Sequence, residues 1–322
     1  MSRLAFAPTS RALTSRIARV ASTRARVARV RHSVVVRALG DERRTVATRN
    51  ARRTRANASS APGDAIAPFA VFAMACEASA KKASAKAEAT AALAFSAGAL
   101  IGLGALLMTC VGASAPALAS ANPGLAAFVR GAIGLPAGLT LVVLTGGELF
   151  TGNVFVMTSG ALSGVATGKQ LARSWALSFA GNFAGAVFMA WLAYVAMTAA
   201  SPVSTAAAIG IATSKATLPF AAAFAKGVLC NWLVCLAVWG TMATTSVAGK
   251  ILAIFWPIMT FVTLGFEHSV ANMFLIPHGM LLGAKVTIGQ MMMGNIVPVT
   301  LGNIVGAAVF VAGLHYVAYG NK

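Results

Sequence analysis

Acidic side chains are scarce in this chain. Its 322 residues include only 7 Asp and Glu, and charged residues of either sign make up 10% of the whole. Soluble domains carry roughly 25% charged residues, so the composition excludes an ordinary soluble globular protein. Cysteine is also sparse: four residues, none in a Cys-x-x-Cys spacing, which excludes a disulfide framework and argues against a zinc site. Cys230 and Cys235 stand five apart on one helical stretch and therefore face different ways. Met291, Met292 and Met293 have no His or Cys beside them, so packing explains them better than copper. No nucleophile–base pair, metal cluster or cofactor loop supports an enzyme, and neither a metal nor a cofactor is expected.

What is present is apolar residue and arginine. Hydrophobic residues make up 58% of the chain, with 31 glycines, and the mean hydropathy is +0.77. The net charge is +19, a value that suggests a nucleic-acid binder until its location is considered. Residues 1–60 hold fifteen arginines, no lysine, and only Asp41 and Glu42 as acids, a net +13. That Arg-, Ala-, Ser- and Thr-rich, acid-poor segment has the composition of an organelle transit peptide. A basic nucleic-acid arm would share the charge, but no aromatic interleaving and no recognition fold follow it. A secretory signal fits poorly because no long apolar core follows the first charges. Val35-Val36-Arg37-Ala38 resembles a chloroplast stromal processing site, so cleavage is expected between 38 and 60; mitochondrial presequences share the composition. Residues 61–88 read as an interfacial lead-in helix opened by Pro68, with Lys81, Lys82 and Lys86 held near lipid headgroups.

Residues 89–322 read as an all-α, polytopic membrane domain. Spanning a bilayer takes ~20 apolar residues, and six stretches qualify: 90–112, 125–160, 171–199, 219–247, 251–282 and 295–319. The second and fifth are too long for one straight span and carry polar interruptions at their middles, at 146–153 and 265–272. Such breaks at membrane depth are tolerated only where they are buried in protein or line a cavity. Both read Gly-x-Glu-x-x-x-x-Asn: Gly146, Glu148, Asn153 and Gly265, Glu267, Asn272. Gly181-Asn182 with Gly185 in the third span recurs as Gly302-Asn303 with Gly306 in the sixth. The first and fourth share Phe-x-x-Gly, at Phe95/Gly98 and Phe224/Gly227. These matches in order predict an inverted 3+3 repeat with helices 2 and 5 broken, and a substrate path between the breaks. Lys81, Lys82, Lys86, Lys169, Arg173, Lys250 and Lys322 fall on one side, and Arg130, Lys215, Lys226 and Lys285 on the other. The imbalance places both termini inside.

GGELFTG at 146–152, GVLCNWLVCL at 227–236 and GFEHSVANMFLIP at 265–277 resemble the formate/nitrite transporter family. So do Trp256-Pro257 and Pro298-Val299-Thr300-Leu301-Gly302-Asn303. The resemblance covers residues 66–319. It implies an aquaporin-like fold of six spans, a homopentamer with one pore per protomer, and passage of small monovalent anions with a proton involved. The Asn-Pro-Ala signatures of water and glycerol channels are absent.

His268 is the histidine inside a polar break, and an ionisable group at membrane depth is a functional candidate. The matching family histidine lines the pore, so His268 is expected to act as the pore gate, with Thr151 beside it. A structural histidine bonding freed backbone is the competing reading. Leu149 and Phe150 are implied as the hydrophobic constriction, and Lys215 with Asn231 as the vestibule pair that collects anions. Lys226 either joins that vestibule or snorkels to the interface. Glu148 and Glu267 would repel an anion if free, so they are expected to cap backbone N–H groups of the broken helices. Asn153, Asn272, Asn182 and Asn303 are expected to support the same breaks. His278 and His315 lie near span ends and are expected at the interface. The expected partners are the lipid bilayer, protons and nitrite, formate or bicarbonate, with no nucleic acid. The expected location is the chloroplast inner envelope with stromal termini, and nitrite leads because stromal nitrogen assimilation consumes it. A membrane scaffold without transport would not need His268.

Overall fold

The computed structural model describes residues 65–320; the transit segment, residues 61–64 of the lead-in and Lys322 lie outside the described residues. All regular structure in the described part is helical. It begins with α1 (Pro68–Ser84), α2 (Ala87–Leu107, continued by a π-helical turn, Met108–Gly112), α3 (Pro116–Ala121) and α4 (Pro123–Ala132). There follow α5 (Leu135–Thr145), α6 (Phe150–Leu162), α7 (Gly168–Val195) and α8 (Pro202–Ala216). The last group is α9 (Phe220–Met242), α10 (Val247–Thr263), α11 (Ser269–Leu281) and α12 (Gln290–Tyr319), which contains two π-helical stretches. Among the described residues, five stretches are long and apolar enough to cross a membrane: 87–112, 123–145, 168–195, 220–242 and 290–319. The predicted fifth span, 251–282, is divided between the 17-residue α10 and the 13-residue α11. The predicted second span is divided among α4, α5 and α6.

Local chemistry explains the interruptions. Gly146 (φ 74°) ends α5 in the left-handed conformation, and Gly265 (φ 68°) follows α10 in the same conformation. Any other residue type would be strained there. The start of α7 is held by a capping box between Thr167 and Gln170. Thr287 and Gln290 make the same set of bonds at the start of α12, with matching lengths of 2.9 and 3.2 Å.

The two halves repeat one hydrogen-bond scheme. Glu148 donates its N–H to Leu93 O at 3.2 Å, and Glu267 donates to Lys226 O at 3.3 Å. Asn182 Nδ2 donates to Ala94 O (2.7 Å) and Glu148 O (3.0 Å); Asn303 Nδ2 donates to Gly227 O (2.8 Å) and Glu267 O (3.0 Å). These bonds pair Ala94 with Gly227 and Gly98 with Asn231. The Phe-x-x-Gly match read from the sequence, Gly98 with Gly227, is therefore one helical turn out of register. Small residues let the crossing helices touch. A Cβ at Gly227 would stand 2.7 Å from Val299 O, so α9 and α12 meet backbone to backbone.

The lead-in helix also needs correction. Lys81 is exposed and pairs with Glu77, but Lys82 turns inward and pairs with Glu148 at 2.7 Å. Val71, Ala75 and Cys76 are buried, so one face of α1 packs into the helical body. In the second half, α8 is its counterpart. Each helix is opened by proline, each precedes the first long helix of its half, and each sends a lysine to the break glutamate.

Candidate functional site

The breaks converge on His268, the residue before α11. Its Nδ1 accepts the N–H of Ala271 at 3.1 Å. A ring nitrogen that accepts an N–H carries no proton, so in the neutral ring Nε2 holds it. Nε2 is 2.9 Å from Thr151 Oγ1 and donates to it, which joins the two breaks directly. Leu149 holds the equivalent position before α6. The two N-cap positions thus carry one apolar and one titratable side chain.

Helix starts expose unsatisfied N–H groups. The expected carboxylate caps are not what satisfies them here. Asn182 Oδ1 accepts from Phe150 N–H at 2.7 Å, and Asn303 Oδ1 accepts from Ser269 N–H at 2.9 Å. Glu148 instead accepts from Asn153 Nδ2 (2.7 Å) and pairs with Lys82. Glu267 takes both oxygens to Lys215 Nζ, at 2.9 and 3.0 Å, and accepts from Asn272 Nδ2 at 2.6 Å. The physical reason is charge: a buried carboxylate is stabilised far more by an ammonium than by a single backbone N–H. Asn295, which drew no attention in the sequence, completes this cluster. It donates to Lys215 O (3.0 Å) and Glu267 Oε2 (3.2 Å) and accepts from Asn272 (2.7 Å). No repeat marks it, because its counterpart in the first half is Ser174 or Trp175 in either register across the π-helical stretch at 290–296, and neither is asparagine.

A cavity of about 230 Å³ opens above His268, lined among others by Arg130, Lys215, Lys226, Glu267 and Asn272. Lys226 thus lines the cavity. Asn231 does not: it is fully buried, donating to Thr151 O (3.2 Å) and Asn303 O (2.7 Å) at the helix crossing. A second, smaller space of about 10 Å³, also lined by His268, lies among Leu139, Leu149, Ile258 and Phe261. Phe261, missed in the sequence, lies with its ring 6.0 Å from that of His268. Phe150 does not line this gap; its ring packs edge-on against Phe179 at 5.2 Å and Trp175 at 6.5 Å. His278 is buried instead of interfacial, its ring stacked 5.0 Å from that of Phe274. His315 is half-buried, with Nδ1 donating to Val311 O at 2.7 Å.

Apolar helices enclosing charge-paired polar breaks define a multi-pass membrane protein. Residues 70–317 match the family profile described as formate/nitrite transporter, and the chain belongs to that family. It is 46% identical over 242 residues to a probable formate transporter of Methanothermobacter thermautotrophicus, covering 70% of this chain and 87% of that protein. It is 37% identical over 224 residues to the nitrite transporter NirC of Escherichia coli, covering 68% and 79%. Among solved structures, an FNT family ion channel superposes with a TM-score of 0.71 at 32% identity, covering 77% of this chain and 98% of that one. A pentameric formate channel with formate bound superposes with a TM-score of 0.65 at 32% identity, covering 72% and 97%.

Proposed function

We propose that the chain passes small monovalent weak-acid anions through a pore within each protomer, with nitrite as the leading substrate and a proton linked to passage at His268. The observation that carries this reading is the position of His268, hydrogen-bonded across both breaks between a cationic cavity and a narrow apolar gap. An anion loses much of its hydration to enter such a gap, whereas its neutral acid form loses far less. Histidine, with an ordinary pKa of about 6.5, can take a proton at Nδ1 as its bond from the Ala271 N–H breaks and hand the Nε2 proton to the anion, which leaves the ring neutral as the Nδ1–H tautomer. Thr151 orients the ring through the Nε2 bond. Leu149 and Phe261 form the constriction, with Phe150 bracing it through Phe179 and Trp175. The glutamates, neutralised by Lys82 and Lys215, support the breaks without repelling the substrate, and the four asparagines satisfy helix starts and glutamate oxygens.

On this reading the helices form six spans as an inverted 3+3 repeat with the second and fifth broken, assembled as a homopentamer. The arginine-rich residues 1–60 direct the chain to the chloroplast inner envelope, with both termini stromal. Formate and bicarbonate are the competing substrates, and the archaeal relative's name favours testing formate first. The test is uptake of nitrite, formate and bicarbonate into proteoliposomes across pH 5–8. Nitrite or formate uptake should rise as the outer buffer is acidified. His268→Asn should reduce it at least about tenfold, the scale expected when a positioned proton-transfer group is lost. Full proton-linked uptake by His268→Asn and His268→Phe would overturn the gate, and uptake of none of the three anions by the unaltered protein would favour a scaffold.

A further inference from the structure

The lysine that neutralises each break glutamate is carried by the last turn of a short helix, Lys82 by α1 and Lys215 by α8. An ammonium on a flexible four-carbon stem is placed by the backbone beneath it. In the second half that backbone is tied to α12, because Asn295 Nδ2 donates to Lys215 O at 3.0 Å. The counterpart of Asn295 in the first half, Ser174 or Trp175, makes no such bond: Ser174 Oγ and Trp175 Nε1 are buried without a partner. The tie comes instead from neighbours in the first two turns of α7. Arg173 Nη2 donates to Ala85 O at 3.0 Å, and Gln170 Nε2 donates to Ala83 O at 3.5 Å. Both carbonyls lie at the C-terminal end of α1, where the last C=O groups have no partner within the helix and the dipole favours a cation. The Ala85 N–H in turn donates to Lys82 O at 3.3 Å. The residue that Arg173 grips is therefore bonded to the backbone of the lysine itself.

We propose that Arg173 is a positioning residue for Lys82: by holding the end of α1 it keeps the Lys82 ammonium on Glu148, 2.7 Å away. The proposal rests on the anion-transport reading. Arg173 is exposed and lines neither space beside His268, so it acts through Lys82. The charge of Arg173 also fits the sidedness of the chain, but sidedness needs no bond to Ala85. Without that bond Lys82 spends time off Glu148, and a bare carboxylate at the first break repels the anion, most strongly where water is scarce.

The test reads Glu148 directly and transport beside it. An apolar carbodiimide attacks carboxyl groups that lack a cation, and mass spectrometry of the Glu148 peptide measures the adduct. Labelling of Glu148 should rise at least about twofold in Arg173→Met, and initial formate uptake by proteoliposomes should fall about 2–5-fold, the range of an exposed charged contact. Arg173→Lys, which keeps the charge and a donor, should stay near the unaltered protein in both. Added to Lys82→Met, Arg173→Met should raise labelling no further, because the ammonium it places is gone. Unchanged labelling or unchanged uptake in Arg173→Met overturns the proposal and leaves the transport reading intact. Labelling that adds to that of Lys82→Met overturns it too, because Arg173 would then shield Glu148 by another route. Thermal midpoints in detergent identify folded variants, and Arg173→Gln, too short to reach Ala85, replaces the Met variant if that one does not fold. Absence of formate and nitrite flux through the unaltered protein would remove the transport reading, whatever the labelling shows.

Discussion

At the scale of single residues, the glutamates and asparagines of the two breaks, with Thr151 and His268, are each engaged by a specific partner, and the partners differ in kind, whereas Ser269 Oγ is buried without one. Asn182 and Asn303 each serve a helix start, a break carbonyl and a carbonyl of the crossing helix. Neither leaves its amide idle. Removing one buried partner costs ~1–3 kcal/mol per group left unsatisfied. Asn303→Ala should therefore lower stability in detergent by several kcal/mol, read as a depressed thermal midpoint, and Asn303→Asp should not rescue it because a carboxylate cannot donate. Lys215→Met leaves Glu267 buried without its cation, at a cost of ~3–5 kcal/mol. Glu267→Gln combined with Lys215→Met should recover most of that loss in the same measurement. The glutamates and asparagines were legible from their Gly-x-Glu-x-x-x-x-Asn spacing. Their bonding partners were not, because Lys82 and Lys215 reach them from distant helices, Lys82 lying 66 and Lys215 52 positions away along the chain.

Among helices, the repeat is carried by contacts between small residues. Gly181 and Gly185 meet α2, as Gly302 and Gly306 meet α9. The motif was readable because close helix approach admits few residue types. The pairing of the first long helices was not, since a lone Phe-x-x-Gly cannot choose between registers one turn apart. Only the asparagine bonds to Ala94 and Gly227 decide it. Gly227→Val should separate α9 from α12 and destabilise by ~1–3 kcal/mol. Gly210→Ala, on the exposed face of α8 with nothing near its added methyl, should instead be neutral or stabilise by ~0.5–1 kcal/mol. Thermal midpoints of the two variants check the contrast. The equivalence of α1 and α8 was hidden for a similar reason: apart from an opening proline and one lysine, nothing in two short helices marks them as copies.

For the whole molecule, large apolar side chains face outward, among them Trp256 (62% exposed) and Leu252 (61%). Water would not tolerate so many, whereas lipid tails or neighbouring protomers would. The proposed pentamer predicts that residues 61–322 purified in mild detergent scatter light as about five protomers, matching the assembly named for the formate channel it resembles. A monomeric mass at all concentrations would count against it. Residues 1–60 fused to a fluorescent reporter should carry it into plastids; retention in the cytosol or delivery to mitochondria would reject the proposed address.

Composition and pattern determined that the chain is a membrane protein, that most of its positive charge lies ahead of the spans, and that two polar breaks recur along it. These properties are local: they need only the transfer cost of each side chain and the spacing along one helix. The tertiary structure alone decided which lysine neutralises which glutamate and which asparagine caps which helix. Buried polar groups must find partners in an apolar surrounding, but the choice of partner depends on which helices come within 3 Å of each other. For α1 and α8, whose lysines reach the breaks from far along the chain, no sequence window contains that distance.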